Sequence, residues 1–159
     1  MISQRAKTMY EIRAAKIEDS STIADFNCRL AAETEHHKLD EATVARGVER
    51  GFDSENESQY FVAEASTGDV VGQLMLTREW SDWRDGWLWW IQSVYVHQDH
   101  RGNGIFRSLL DHVRDFATND PNVVGIRLYV ENENTRAQEV YARLGFVDPN
   151  YRVLEMIFE

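Results

Sequence analysis

Apolar residues along the chain recur with two different periods, which predicts strands and helices in a definite order. Runs of β-forming residues predict strands at 9–13, 59–65, 70–80, 87–96, 123–130 and 151–158. Apolar residues spaced three and four apart predict helices at 19–34, 40–51, 105–117 and 135–144. The run at 123–130 is too apolar to be half-exposed, so we expect it to lie centrally in the sheet. Hairpins come first and a crossover helix comes later, which indicates an α/β fold: a mixed, mostly antiparallel central sheet with helices on both faces.

The ends of two predicted helices carry recognisable capping residues. Asp40 and Asn134 each precede a helical pattern, and such side chains accept hydrogen bonds from the first turn of a helix. Gly145 follows the last helix at the position where a left-handed residue commonly ends a helix. We therefore expect Phe146, the next residue, to contact Tyr141 across that helix end.

Charge and composition narrow the class of partner. The chain has 159 residues and a net charge of −10, from 17 basic and 27 acidic residues. Nucleic-acid binding needs clustered Lys and Arg, so we expect no nucleic-acid partner. No apolar run approaches the roughly 20 residues of a membrane span, so we expect no membrane partner. The lone Cys28 indicates a reducing compartment; we expect a cytoplasmic protein with a loose extension at 1–8 and a single domain at 9–159.

The segment 100–110, HRGNGIFRSLL, places two glycines between a predicted strand and a predicted helix. The first amides of a helix have no internal partner, and the helix dipole favours negative charge there. Glycines let the main chain approach a ligand, so this turn is a candidate anion site; a turn shaped only to begin a helix would use the same residues. A Walker loop is excluded because Lys7, Lys16 and Lys38 all lie upstream. A dinucleotide fingerprint is weakly supported because Arg107 occupies its third glycine position.

Two motifs together resemble the GCN5-related N-acetyltransferases (GNAT). The first is similar to the acetyl-CoA loop of that family, Arg/Gln-x-x-Gly-x-Gly/Ala, and consists of Arg101, Gly102, Asn103, Gly104, Ile105 and Phe106. It departs from the pattern at Phe106, where the family has Gly or Ala. The second, Asn-x-x-Ala-x-x-x-Tyr-x-x-x-Gly-Phe, is matched by Asn134, Ala137, Tyr141, Gly145 and Phe146.

The resemblance implies a GNAT fold and an enzyme that moves an acetyl group from acetyl-CoA to a primary amine of a small molecule or peptide. The amine attacks the thioester directly, and coenzyme A is the product. The residues implied to bind the cofactor are those of the loop together with Val94, Tyr95, Val96, Asn134 and Tyr141. Val94 to Val96 belong to the strand whose backbone pairs with the pantetheine arm in this family. A non-catalytic acyl-CoA-binding sensor or regulatory module is the alternative function.

Tyr141 is the catalytic residue that the resemblance implies. A phenol has a pKa of about 10, so Tyr141 is protonated at neutral pH and can donate to the leaving thiolate. On its helical spacing alone, a tyrosine packed in the core is the commoner interpretation. The amine must also lose a proton, and no residue identifies itself as that base. Glu33, Glu35 and Glu79 are candidates, although a solvated surface carboxylate is the commoner state of each.

The sequence does not assign a single role to the tryptophans or to the histidines. All five tryptophans lie within 80–90, which allows cross-strand packing in one hairpin, an aromatic wall for an amine, or contact in a homodimer. Two close histidine pairs, His36 with His37 and His97 with His100, lack the carboxylate or thiolate company of a metal site. We therefore expect no metal.

Overall fold

A computed structural model describes residues 9–158, which contain five strands and four α-helices. In chain order they are β1 (Tyr10–Ala14), α1 (Ser20–Glu35), α2 (Glu41–Gly51), β2 (Ser58–Ala65), β3 (Val70–Ser81), β4 (Gly86–Val96), α3 (Ile105–Asn119), β5 (Val123–Leu128) and α4 (Thr135–Arg143). Of the described residues, those up to Leu128 form one compact unit, which holds the sheet, and those from Tyr129 form a second, which holds α4. The extension predicted at 1–8 lies outside the described residues.

The five strands form one sheet in the order in which they occur along the chain. The first four pair antiparallel, and β5 pairs parallel with β4 after the α3 crossover. A parallel pair needs such a crossover because the chain must return to the end of the sheet from which it started. The prediction of a mixed, mostly antiparallel sheet is therefore confirmed.

Consecutive residues of β2 show which helices cover each face of the sheet. Val62 is buried in one cluster with Ile23 of α1 and Val48 of α2. Phe61 precedes it, and the Phe61 ring centroid lies 5.3 Å from that of His112 in α3. Adjacent residues of a strand point to opposite faces, so α1 and α2 cover one face and α3 covers the other. Helices on both faces are confirmed.

Two strand predictions are wrong, one in the position of the strand within the sheet and the other in the presence of a strand. The run predicted as a central strand at 123–130 forms β5, which ends at Leu128 and lies at an edge of the sheet. Residues 151–158, predicted as the last strand, form no strand. An apolar pattern shows that a segment gains by burial on both faces, whereas a strand forms only where another strand offers hydrogen bonds along its edge.

Candidate functional site

Strand β4 separates from β5 near its middle. Pairing with β5 ends where Ile91 lies opposite Leu128, while β4 continues to Val96 alongside β3. No residue of β5 pairs with β4 beyond Ile91. Within the first unit, the edge of residues 94–96 that faces away from β3 therefore has no pairing strand. These are the residues that the sequence analysis expects to pair with the cofactor.

A bulge in β4 marks the point of separation. Ser93 has a φ of 52°, in the left-handed region that residues other than glycine seldom adopt. The register between β3 and β4 shifts at the same place, between Gln73 and Met75. Bulges bend a strand and re-aim the residues that follow. This bulge accounts for the divergence of β4 from β5.

A buried side chain from β3 holds the bulge. Gln73 is 0% exposed, and its Nε2 donates to the Ser93 carbonyl at 3.1 Å and to Asn27 Oδ1 of α1 at 2.8 Å. Its Oε1 is buried and has no hydrogen-bond partner among the described residues, which is an unfavourable arrangement for an acceptor. The sequence analysis does not identify Gln73 as a functional residue. A single amide side chain inside the apolar run 70–76 is the feature that could have indicated it.

The loop that follows β4 carries its two glycines in left-handed conformations. Gly102 has a φ of 81° and Gly104 a φ of 74°. A Cβ built on either glycine meets no heavy atom within 4 Å, so the backbone conformation, and not crowding, requires glycine there. Together with Val96, His100 and the first residues of α3, this loop lines a surface cleft.

Helix α3 begins without a side-chain cap. Its N-cap is Gly104, which has no side-chain oxygen to offer to the first turn. The first hydrogen bond of the helix joins the Ser108 amide to the Gly104 carbonyl. The amides of residues 105–107 precede that bond and lie at the positive end of the helix dipole. This part of the cleft is suited to an anion such as a diphosphate.

Glu33, near the end of α1, joins α1 to β4 and to the loop. Its Oε1 accepts a 2.7 Å hydrogen bond from the Tyr95 hydroxyl, and its Oε2 accepts a 2.6 Å bond from Arg101 Nη2. Arg101 Nε also donates to the Val96 carbonyl at 2.9 Å. The hydrogen bond from Arg101, and then that from Tyr95, lower the pKa of Glu33 because they favour its charged form. Glu33 is therefore better suited to anchoring the loop than to accepting a proton.

The second unit carries the second motif on and after α4. Asn134 Oδ1 accepts a 3.1 Å hydrogen bond from the Ala137 amide, as predicted for an N-cap. Gly145 has a φ of 95°, and the Phe146 amide donates to the Tyr141 carbonyl at 3.0 Å. The Tyr141 and Phe146 ring centroids lie 5.8 Å apart, so the predicted contact is confirmed. Burial raises the pKa of the Tyr141 phenol.

The tryptophans have different environments. Trp80 and Trp87 lie directly opposite each other on β3 and β4, with ring centroids 5.1 Å apart, so cross-strand packing is confirmed for this pair. Trp89 is buried, and the guanidinium of Arg78 lies 5.4 Å from its ring centroid. Trp83 is 86% exposed. The cluster is therefore not a single aromatic wall.

Trp90 belongs to a polar group on the face of the sheet opposite that of Trp89. Its Nε1 donates to Glu79 Oε2 at 3.3 Å, and Arg127 Nη1 donates to the same oxygen at 2.7 Å. Of the three carboxylates considered as bases, Glu79 and Glu33 are therefore each bound to an arginine. Glu35 is the last residue of α1.

Other candidate chemistry is limited. Among residues 9–158, no group of three or more His, Cys, Asp and Glu side chains is placed to hold a metal ion. Within the same range, no helix combines the length and apolar character needed to cross a membrane. Burial raises the pKa of the Cys28 thiol, which disfavours the reactive thiolate.

Comparison with known proteins finds similarity over the part of the chain that carries both motifs. The family model described as the acetyltransferase (GNAT) family matches residues 21–146. The L-amino acid N-acyltransferase MnaT of Escherichia coli (strain K12) is 30% identical over 130 residues, which are 76% of this chain and 74% of that protein. A streptothricin acetyltransferase of Escherichia coli is 32% identical over 78 residues, or 49% of this chain. That match spans 41% of the length of the streptothricin enzyme.

A solved structure shares both fold and sequence with this chain. The crystal structure of a possible acetyltransferase from Clostridium difficile 630 superposes with a TM-score of 0.88 at 41% identity. The match covers 95% of this chain and 99% of that one. The family match at 21–146 includes the bulged strand, the glycine loop and the α4 motif.

Proposed function

The chain belongs to the GNAT family of acetyltransferases, and we propose that it transfers an acetyl group from acetyl-CoA to a primary amine of a small molecule or peptide. The family defines the enzyme class, an acyl-CoA-dependent N-acetyltransferase. The acetyl donor, the amine acceptor and the residue roles below are our proposal.

The observation that carries this proposal is the juxtaposition of an open strand and an uncapped helix. Residues 94–96 of β4 lie beyond the last pair with β5, and the loop leads from them directly into α3. An extended arm with amide groups can pair with an open strand, and a diphosphate can bind uncapped helix amides. We assign the arm of acetyl-CoA to residues 94–96 and its diphosphate to residues 101–106. Asn134, whose Oδ1 caps α4, would contact the cofactor through its amide nitrogen.

The departure from the family pattern at Phe106 is compatible with this assignment. Phe106 lies in the first turn of α3, and a diphosphate at a helix N-terminus would be bound by backbone amides, which every residue type supplies. Both glycines have open space where a Cβ would stand. The open space at these glycines leaves the main chain of the loop accessible, which supports the proposed diphosphate site.

Acetyl-CoA supplies a thioester carbonyl, which the free amine attacks. We assign the proton donor for the departing thiolate to Tyr141. A thiol has a pKa of about 8.5, whereas a phenol has one of about 10. Burial raises the pKa of Tyr141 further, so the phenol keeps its proton at neutral pH and holds it available for donation. A backbone amide at the β4 bulge would stabilise the charge that develops on the carbonyl oxygen.

The acceptor that we propose is a small amine, with neither nucleic acid nor membrane as a partner. The net charge of −10 favours approach of a cationic amine. An L-amino acid, the acceptor class in the name of the relative MnaT, is the first compound to test. Because Glu33 and Glu79 are each bound to an arginine, we assign deprotonation of the ammonium to water. We further propose that residues 9–159 act as a single domain in the cytoplasm.

Two measurements test the proposal in sequence. Titration of coenzyme A into the purified protein should release or absorb heat with a single-site isotherm; no heat would remove the cofactor assignment. Release of free thiol from acetyl-CoA should then be followed with a panel of L-amino acids, polyamines, aminoglycosides and peptides. Amine-dependent release supports the transferase, whereas binding without release by any member of a broad panel supports the acyl-CoA sensor.

A further inference from the structure

The half-buried side chain of Gln92 lies at the point where β4 leaves β5. It follows Ile91, the last residue of β4 that pairs with β5, and it precedes Ser93, the residue of the bulge. Gln92 pairs with Met75 of β3, and Met75 packs against the buried cluster that α1 and α2 form with the sheet. Residues that are paired across two strands point to the same face. Gln92 therefore points to the face of the sheet that α1 and α2 cover.

This face is the accessible one at the bulge. Adjacent residues of a strand point to opposite faces, and Ile91, which points to the face of α3, is 3% exposed. Gln92, Ser93 and Val94 are each partly exposed. A molecule that approaches the carbonyl group assigned to the bulge therefore reaches β4 beside Gln92.

The side-chain amide of Gln92 is oriented by one neighbour and offers its oxygen to a further donor. Its Nε2 donates to Thr77 Oγ1 of β3, which fixes the orientation of the amide. Among the described residues, no group donates to Gln92 Oε1. An amide oxygen has two lone pairs for accepting hydrogen bonds. An N–H group of a ligand could bind to this oxygen without displacing a contact of the protein.

The charged side chains around Gln92 are bound to one another. Glu79 of β3 and Arg127 of β5 share the face of Gln92 and form an ion pair at 2.7 Å. Glu33 of α1 is bound to Arg101. An amine that reaches β4 at Gln92 therefore meets a neutral amide oxygen. Such an oxygen accepts a hydrogen bond from the N–H of an uncharged amine, but it does not remove the proton of an ammonium ion.

We propose that Gln92 Oε1 accepts a hydrogen bond from the acceptor amine and so holds the nitrogen lone pair toward the thioester carbonyl. The amine arrives as its free base, having lost its ammonium proton to water. Its lone pair forms the C–N bond, the C–S bond breaks, and coenzyme A leaves as a thiolate. The extra proton on the acylated nitrogen then passes to water, so Gln92 neither takes nor gives a proton. This inference rests on the proposed function, because it concerns the acceptor of that transfer.

The first test removes the oxygen and keeps the volume of the side chain. Gln92→Met should lower kcat/KM for the amine that gives the fastest thiol release by at least about tenfold. The heat of coenzyme A binding should be unchanged, because Gln92 lies outside the glycine loop. The matched control is Gln59→Met, which changes another half-buried glutamine of the same sheet and should leave kcat/KM unchanged.

A pH profile separates amine binding from a structural role. An alkylamine has a pKa of about 10, so the fraction of free base, and with it kcat/KM of the wild-type protein, should rise about tenfold per pH unit between about pH 6 and 8. Gln92→Glu keeps an oxygen acceptor and adds a carboxylate that can take the proton of the ammonium ion. Its profile should therefore rise less steeply over the same interval, with coenzyme A binding retained.

The outcomes distinguish this inference from the proposed function. No amine-dependent thiol release by the wild-type protein would remove the proposed function, and this inference with it. Release by the wild-type protein with an unchanged kcat/KM in Gln92→Met would overturn this inference alone. A loss of kcat/KM together with weaker coenzyme A binding would make Gln92 a structural residue, which also overturns it. If Gln92→Met does not fold, the profile of Gln92→Glu decides, and a profile as steep as that of the wild-type protein contradicts the inference.

Discussion

Helices α3 and α4 begin in opposite ways. Asn134 closes the first turn of α4 with its own side-chain oxygen, which accepts from the Ala137 amide. Gly104 opens α3 and has no side chain to do so. A cap oxygen accepts hydrogen bonds from helix amides, whereas a helix N-terminus without such an oxygen is a common binding site for anions. Both starts belong to motifs that resemble the same family, yet only that of α3 has no side-chain cap.

The glycines of the two motifs also differ in what they do: one ends a helix, and two shape a loop on the surface. Gly145 ends α4 in a left-handed turn that the helix itself uses, since the Phe146 amide returns to the Tyr141 carbonyl. Gly102 and Gly104 are also left-handed, but a Cβ on either would meet only open space. The first glycine therefore completes a helix, and the other two shape a surface.

The largest effect is expected from giving α3 a carboxylate like the one that caps α2. Gly104→Asp places a negative charge beside the first turn of α3, where it repels a diphosphate. Asp tolerates the left-handed conformation of this residue. Calorimetry should show binding of coenzyme A weakened at least about a hundredfold, or about 2.8 kcal/mol. Gly104→Asn has nearly the same shape without the charge and should lose less than about tenfold. Equal losses in both variants would contradict the anion assignment.

A smaller but specific loss is expected from removing the hydroxyl of Tyr141, which lies in the last turn of α4. Tyr141→Phe keeps the ring packed against Phe146 and removes the proposed proton donor. Turnover should fall at least about tenfold, or about 1.4 kcal/mol of barrier, with coenzyme A binding unchanged. Steady-state thiol release and calorimetry together measure the two quantities. Unchanged turnover would remove the assignment.

The pH dependence sharpens the role of Tyr141. Burial raises the pKa of this phenol, so the donor form is complete below the ordinary value of about 10 and is lost only above it. Turnover of the wild-type protein at saturating amine should therefore show no decline between about pH 7 and 9, as checked by a thiol-release profile. A decline in that interval that disappears in Tyr141→Phe would show a lowered pKa and contradict this account.

The third effect concerns Gln73 of β3, which holds the bulge of β4 at Ser93. Gln73→Leu has a similar volume but removes the donor to the Ser93 carbonyl, so the bulge loses its anchor. We expect turnover to fall about fivefold, or about 1 kcal/mol, with little change in coenzyme A binding, because the bulge and not the loop is disturbed. Gln59→Leu makes the same change on β2 and should leave turnover unchanged. A loss of thermal stability without a loss of turnover would make Gln73 a purely structural residue.

The smallest effect tests the charge around the loop. Glu33→Gln removes the carboxylate that pairs with Arg101 but leaves the second anchor of that arginine, the Val96 carbonyl. The loop becomes more positive, so coenzyme A should bind about two- to threefold more tightly at low salt, and the gain should fade as salt increases. Glu35→Gln removes an equal charge from the end of α1 and should give a smaller change. Weaker binding in Glu33→Gln would instead show that the anchoring of Arg101 by Glu33 outweighs the change in charge.

Local patterns in the sequence determined most of the elements of this protein. Period, caps and turn residues are properties of a few neighbouring residues, so the helix starts at Asp40 and Asn134 and the turn at Gly145 could be predicted from the sequence. The resemblance of two motifs indicated the family and the loop. These features depend on local chemistry that no distant part of the chain can override without breaking the element itself.

Contacts between distant segments were decided only by the tertiary structure. Gln73 reaches Ser93 and Asn27 across 20 and 46 residues of sequence, and Glu33 reaches Arg101 across 68. The edge position of β5 and the unpaired segment 151–158 were likewise decided by which strands meet. The hydrophobic pattern of a sequence indicates which residues are stabilised by burial. A hydrogen bond needs a particular partner at a particular distance, and only the fold brings that partner into place.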